Sequence, residues 1–133
     1  MKQLKLKKFG FTFIEILVVV TIIGVLVMIG SVSYSSANKK SRDGKRKADM
    51  EQIRVALEMY RADVGTYPAT AGLDVTSCTG SLTYSGNTYL DPIPCDPLNN
   101  ATYYYSYACV NPFTTYTISA TLEAGGSYSK TQP

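Results

Sequence analysis

Histidine and tryptophan are absent from the 133 residues, and cysteine occurs three times, at Cys78, Cys95 and Cys109, never as a CxxC pair. Without histidine there is no histidine-dependent triad and no His-ligated zinc. Without CxxC spacing, redox and structural-zinc motifs find no support. Proline is missing from 11–30 and again from 39–64, so neither stretch carries a helix breaker. Acid is missing from residues 1–10, MKQLKLKKFG, which hold Lys2, Lys5, Lys7 and Lys8. Those lysines account for the formal charge of +3, because the remainder has nine Lys/Arg against ten Asp/Glu. Bulk charge therefore gives no argument for a nucleic-acid surface.

What is present begins with FTFIEILVVVTIIGVLVMIG, residues 11–30, in which Glu15 is the lone charge. Twenty residues of helix measure about 30 Å, the thickness of a bilayer's hydrocarbon core. A carboxylate in such a span costs up to roughly 3 kcal/mol to insert, so it calls for a partner or for snorkelling to the interface. The preceding lysines stay in the cytoplasm by the positive-inside bias. The apolar run is too long for a secretory signal, whose h-region is about 7–15 residues. A cut on its far side would discard the helix, whereas a cut after Gly10 keeps it.

KKFG followed by FTFIE resembles the class III signal of type IV pilins and type II secretion pseudopilins. That pattern is a basic leader, Gly, a hydrophobic residue, Thr, two hydrophobic residues and Glu. Phe13 stands where Leu is commoner. The resemblance implies that a prepilin peptidase cuts between Gly10 and Phe11, removes leader 1–10 and methylates the new amine of Phe11. It also implies that Thr12 and Glu15 serve assembly, Glu15 meeting the Phe11 amine of a neighbour or of its own chain. A buried ionic pair of that kind sets register at some cost in stability. Gly24 matches a glycine common in the family, and Val32 stands where a proline is frequent.

From Lys39 to Val64 the chain is polar with helical period. Ile53, Leu57, Tyr60 and Val64, joined by Met50 and Ala56, form one face. Lys47, Glu51, Arg54, Glu58 and Arg61 form the other, with Lys47/Glu51 and Arg54/Glu58 four apart. The basic run Lys39, Lys40, Arg42, Lys45, Arg46 and Lys47, interrupted by Asp43, reads as a solvated helix surface. Gly65 and Pro68 end the helix. RDGKRKADMEQIRVALEMYRADVGTYP, residues 42–68, extends the resemblance toward the major pseudopilin.

Beyond Pro68, residues 69–101 read as loop with short strands, including a third strand within 82–90. ATYYYSYAC (101–109) and TTYTISATLE (114–123) are strands. In the latter, Tyr116, Ile118, Ala120 and Leu122 alternate with polar residues, which gives a half-buried strand facing the helix. Tyr103, Tyr105 and Tyr107 share one face and Tyr104 the other, for core packing or for interfaces. Gly125, Gly126 and the polar tail read as frayed.

The resulting fold is α+β. A long N-terminal helix has an apolar part over 11–30 and an amphipathic continuation over 31–65, and a small antiparallel β head with a loop-rich insertion covers 66–133. An oxidising compartment allows one disulfide among Cys78, Cys95 and Cys109, with all three pairings open. Asp91 and Asp96 bound an Asp-Pro loop, and Asp-Pro starts turns. The loop's placement resembles the calcium-binding loop of the major pseudopilin, which would make Asp96 and Asn99 calcium ligands. No other cofactor and no catalysis is expected.

By resemblance the chain is a structural subunit of a type IV pilus or a secretion pseudopilus. It would be single-pass in the cytoplasmic membrane as prepilin, then homo-oligomeric in a periplasmic or extracellular helical filament. The peptidase, the assembly ATPase and the platform protein are its implied partners, and no specific nucleic acid is among them. The reading from another class is a monomeric membrane-anchored binding module, recognising its ligand through the tyrosine-rich head.

Overall fold

The computed structural model describes residues 10–132, so the leader lysines lie outside the described residues. Its elements are one helix, α1 (Phe13–Val64), a short 3-10 turn (Thr70–Gly72) and five strands. The strands are β1 (Leu82–Tyr84), β2 (Asn87–Leu90), β3 (Tyr105–Val110), β4 (Thr115–Thr121) and β5 (Ser127–Gln132). The fold is the α+β arrangement that the sequence implies. The chain divides into two units, Met1–Ala37 and Asn38–Pro133.

In the first unit, α1 is rich in β-branched residues, which crowd χ1 and make poor helix formers in water. In hydrocarbon the same residues are suitable, because every backbone N–H and C=O must be satisfied within the segment. The side chains from Phe11 to Ile29 are exposed, with none of the most apolar window buried, and that window has mean hydropathy 2.8. By length and composition the helix can cross a membrane.

In the second unit the helix has a core face. Met50, Ile53, Ala56, Leu57 and Tyr60 are buried in one cluster with Tyr105, Tyr107 and Cys109 of β3 and Tyr116, Ile118 and Ala120 of β4. The ring of Tyr67 meets that of Tyr116 edge-on at 4.6 Å. Such pairs contribute beyond their buried area. Two of the buried tyrosine hydroxyls find acceptors, Tyr105 donating to Asp49 at 2.7 Å and Tyr107 to the Pro68 carbonyl at 2.6 Å, while the Tyr116 hydroxyl is buried without a partner among the described residues. Gly65, at φ 88°, ends α1 and donates its N–H to the Arg61 carbonyl at 2.8 Å. That left-handed step is the usual glycine stop.

Two sheets form rather than one. β3, β4 and β5 pair antiparallel in that order, while β1 and β2 make a separate hairpin. The segment 82–90 is thus two strands, not a third strand of the main sheet. The reason is local: Ser85 and Gly86 lie at φ 49° and 86°, the two positive values that a tight type I′ hairpin turn requires. The hairpin joins the core through Tyr60, which packs edge-on against Tyr84 and Tyr89 at 5.7 and 5.4 Å.

The expectation of a frayed tail is also corrected. Gly125 and Gly126 sit at φ 101° and 83°, and the N–H of Leu122 reaches the Gly126 carbonyl at 3.0 Å, so the chain reverses into β5. β5 is held laterally by α1, with Lys130 Nζ 3.0 Å from Glu51. The strand expected at 101–109 starts later, at Tyr105, because Asn100 Oδ1 accepts from the N–H groups of Thr102 and Tyr103 and keeps those residues in a turn.

Candidate functional site

The helix start is built from the TFIE tetrapeptide. Thr12 donates its N–H and its hydroxyl to Glu15 Oε2, both at 2.7 Å, and accepts the Glu15 N–H on Oγ1 at 3.3 Å. This reciprocal arrangement is a capping box, in which Ser or Thr at the cap and Glu three residues on satisfy each other's backbone donors. T-x-x-E was present in the sequence as a capping signal, and reading it as a family pattern alone missed that. Gly10 and Phe11 lie just ahead, both exposed, with Phe11 at 85%. A Cβ placed on Gly10 meets nothing within 4 Å. The structure therefore brings Thr12 and Glu15 together and places Gly10 and Phe11 within one helical turn of them.

In the head unit, the basic run is not a uniformly solvated surface. Lys39, Lys40, Lys45 and Lys47 are exposed, but Arg46 is fully buried and Arg42 is half-buried. Arg46 bonds Asp96 through Nε at 2.7 Å and Nη2 at 2.9 Å, and its Nη1 bonds Asp43 at 2.7 Å and Glu123 at 2.9 Å. Arg42 grips both oxygens of Glu123 at 2.6 Å. Asp43 also accepts the N–H groups of Glu123 and Ala124 at 2.9 and 3.0 Å, which anchors the β4–β5 turn to α1. The overlooked signal was periodic: Asp43, Arg46, Met50, Ile53, Leu57 and Tyr60 alternate three and four apart, so the core face begins with a charged turn.

These contacts shift the acids. Hydrogen bonds from Arg42, and then from Arg46, hold Glu123 down to about 2, well below its ordinary 4.5. Burial pushes Asp96 and Asp43 upward, and in both cases their hydrogen bonds outweigh it, so each ends below the usual 3.8. The expected pairs four apart give way to others. Glu51 is shared by Arg54 at 2.7 Å and Lys130 at 3.0 Å, while Glu58 accepts the Tyr67 hydroxyl at 3.0 Å.

Of the cysteines, Cys78 and Cys95 form a disulfide, and Cys109 is free and buried. The bridge encloses the β1–β2 hairpin. Asp91 is exposed. Asp96, the expected calcium ligand, turns both oxygens to Arg46, and Asn99 directs Nδ2 to the Thr76 carbonyl at 3.4 Å and to Cys78 Sγ at 3.0 Å. Among the described residues, no three Asp, Glu, Cys or His are grouped to hold a metal ion.

A helix with a capped start, an exposed apolar half and a small antiparallel head defines the class: a pilin-type filament subunit. The comparisons with known proteins agree. The model for the prokaryotic N-terminal methylation motif matches residues 5–31. The model for type II secretion system protein G matches residues 33–132, and the chain belongs to that family. Among its relatives, the type II secretion system core protein G of Pseudomonas aeruginosa is 35% identical over 124 residues, 89% of this chain and 87% of the relative. The protein of the same name from Vibrio cholerae is 31% identical over 131 residues, 95% of this chain and 89% of the relative. That of Escherichia coli is 33% identical over 112 residues, 80% of this chain and 74% of the relative. No solved structure matched. The family is one of structural pseudopilins, and the chain is a filament subunit.

Proposed function

We propose that the chain is made as a membrane-anchored prepilin, trimmed between Gly10 and Phe11 by a prepilin peptidase, methylated on Phe11, and assembled into the pseudopilus of a type II secretion system. The observation that carries this reading is the apolar half of α1. Among the described residues its large apolar side chains are all exposed, and its one carboxylate is held by Thr12 beside the expected cut. Lipid serves that surface before assembly, and the helices of other copies serve it afterward. Glu15 then gives register: the cut frees a cationic amine at Phe11, and a neighbour's amine replaces the Thr12 donors at the carboxylate. Losing Glu15 disturbs assembly more than folding. The precursor sits in the cytoplasmic membrane with its lysines inside, and the head lies where a disulfide persists. The assembly ATPase and the platform protein are the machinery that such a step requires.

The test is the mass of the mature N-terminus of protein isolated from cells. A chain starting at Phe11 and heavier by one methyl group is expected. A chain that retains residues 1–10 would overturn the processing step, and with it the role given to Glu15.

A further inference from the structure

Several chain segments converge on one guanidinium. Arg46, fully buried on α1, binds Asp96 of the Asp-Pro loop, Glu123 of the β4–β5 turn and Asp43 of its own helix. The Tyr103 ring, on the approach to β3, lies 4.9 Å from its central carbon. The acids are themselves tied to backbone. Asp96 Oδ1 accepts from Leu98 N–H at 2.9 Å and Asn99 N–H at 3.4 Å, and Asp43 accepts from Glu123 and Ala124. One cation thus fixes the loop, the turn and the helix together.

We propose that Arg46 is the structural cation of the head, joining the Asp-Pro loop to α1 in the place that the pseudopilin resemblance gives to calcium, so that this head folds without a metal ion. The donor set carries the argument. Calcium takes six to eight oxygens at 2.3–2.6 Å. Asp96 instead offers its two oxygens in the parallel, hydrogen-bonded geometry that matches a guanidinium fork. Asn99 directs a donor, not an oxygen, into its surroundings. The same loop is closed covalently by the Cys78/Cys95 bridge, which ends one residue before Asp96. A loop fixed by a disulfide on one side and by an arginine on the other has no need of an ion to order it. Arginine suits the role because it stays charged at every physiological pH and binds planar acids in two places at once, which the point charge of lysine does not.

The inference is independent of the filament reading and is tested on the full-length chain in detergent micelles. Thermal unfolding is followed by the near-ultraviolet dichroism of the tyrosines, with calcium added and with EGTA added. Terbium, calcium's luminescent substitute, is titrated in parallel for tyrosine-sensitised emission. The expected result is one melting midpoint in calcium and in EGTA, no saturable terbium emission, and lower midpoints for Arg46→Lys and Asp96→Asn. A midpoint that falls on the order of 10 °C on chelation, the shift a bound ion at about a hundredfold its Kd would give a domain of this size, would overturn it. So would saturable terbium emission, or variants that both melt where the parent does.

Discussion

Leu17 and Leu57 are the same residue in the same helix, one 46% exposed and the other fully buried. The second leaves water by packing against the head's own sheet. The first remains half exposed among the described residues. The pattern holds along both stretches: Ile14, Val18, Ile22 and Val25 are exposed, while Met50, Ile53, Ala56 and Tyr60 are buried. Burying such a side chain stabilises by about 1.5–3 kcal/mol. The second half of α1 realises that gain on folding. The first half can realise it only in lipid or against other chains, so its sequence is a statement about assembly.

Acid should separate the two regions most completely. Glu123 titrates at about 2 in the folded head against 4.5 ordinarily, and Asp43 and Asp96 are lowered too. Groups lowered by folding stabilise the fold above their ordinary values, and that contribution is lost as pH falls through the folded ones. The head should therefore lose its near-ultraviolet signal between about pH 4.5 and pH 2 while detergent keeps the apolar helix formed. A tyrosine signal that persists unchanged to pH 2 would contradict the account of the Arg46 cluster.

Leu57→Ala comes next, with an expected loss of about 2–5 kcal/mol of head stability. Leu17→Ala should leave the head's melting midpoint where it is, and a comparable drop from both would break the comparison. Val19→Lys reverses the test. It should cost about 3 kcal/mol of membrane insertion, read by alkaline extraction of membranes, with the head's melting unchanged. Reducing the Cys78/Cys95 bridge should cost the head about 3 kcal/mol, measured in denaturant with and without reductant. Thr12→Ala is the mildest, about 1 kcal/mol from the lost cap, visible as reduced helicity of the first turn by hydrogen exchange.

Much of this was legible because periodicity reports burial. Ile53, Leu57 and Tyr60 at helical spacing, and Tyr116, Ile118 and Ala120 at strand spacing, land in the core as read. Arg46 was not legible by residue type, since arginine is rarely fully buried unless paired. Its position on the core face carried the signal that its charge concealed. β5 was missed because Ser127, Ser129 and Thr131 look like tail, and its order comes from α1 and β4 rather than from its own composition. The cysteine pairing depends on a hairpin that brings Cys78 and Cys95 within 5.1 Å at Cα, and spacing along the chain does not encode that distance.

The capped helix start has a geometric consequence. Thr12 and Glu15 cap the start of α1, so the proposed cut after Gly10 would set where the chain ends without moving the start of the helix. Every trimmed copy would then carry an identical overhang, Phe11 and Thr12 ahead of Phe13. The offset between one copy's amine and its own carboxylate would then be the same in each chain. On the proposed processing, stacked copies would share a common ruler, and a cut misplaced by one residue would put every amine out of step with its helix start.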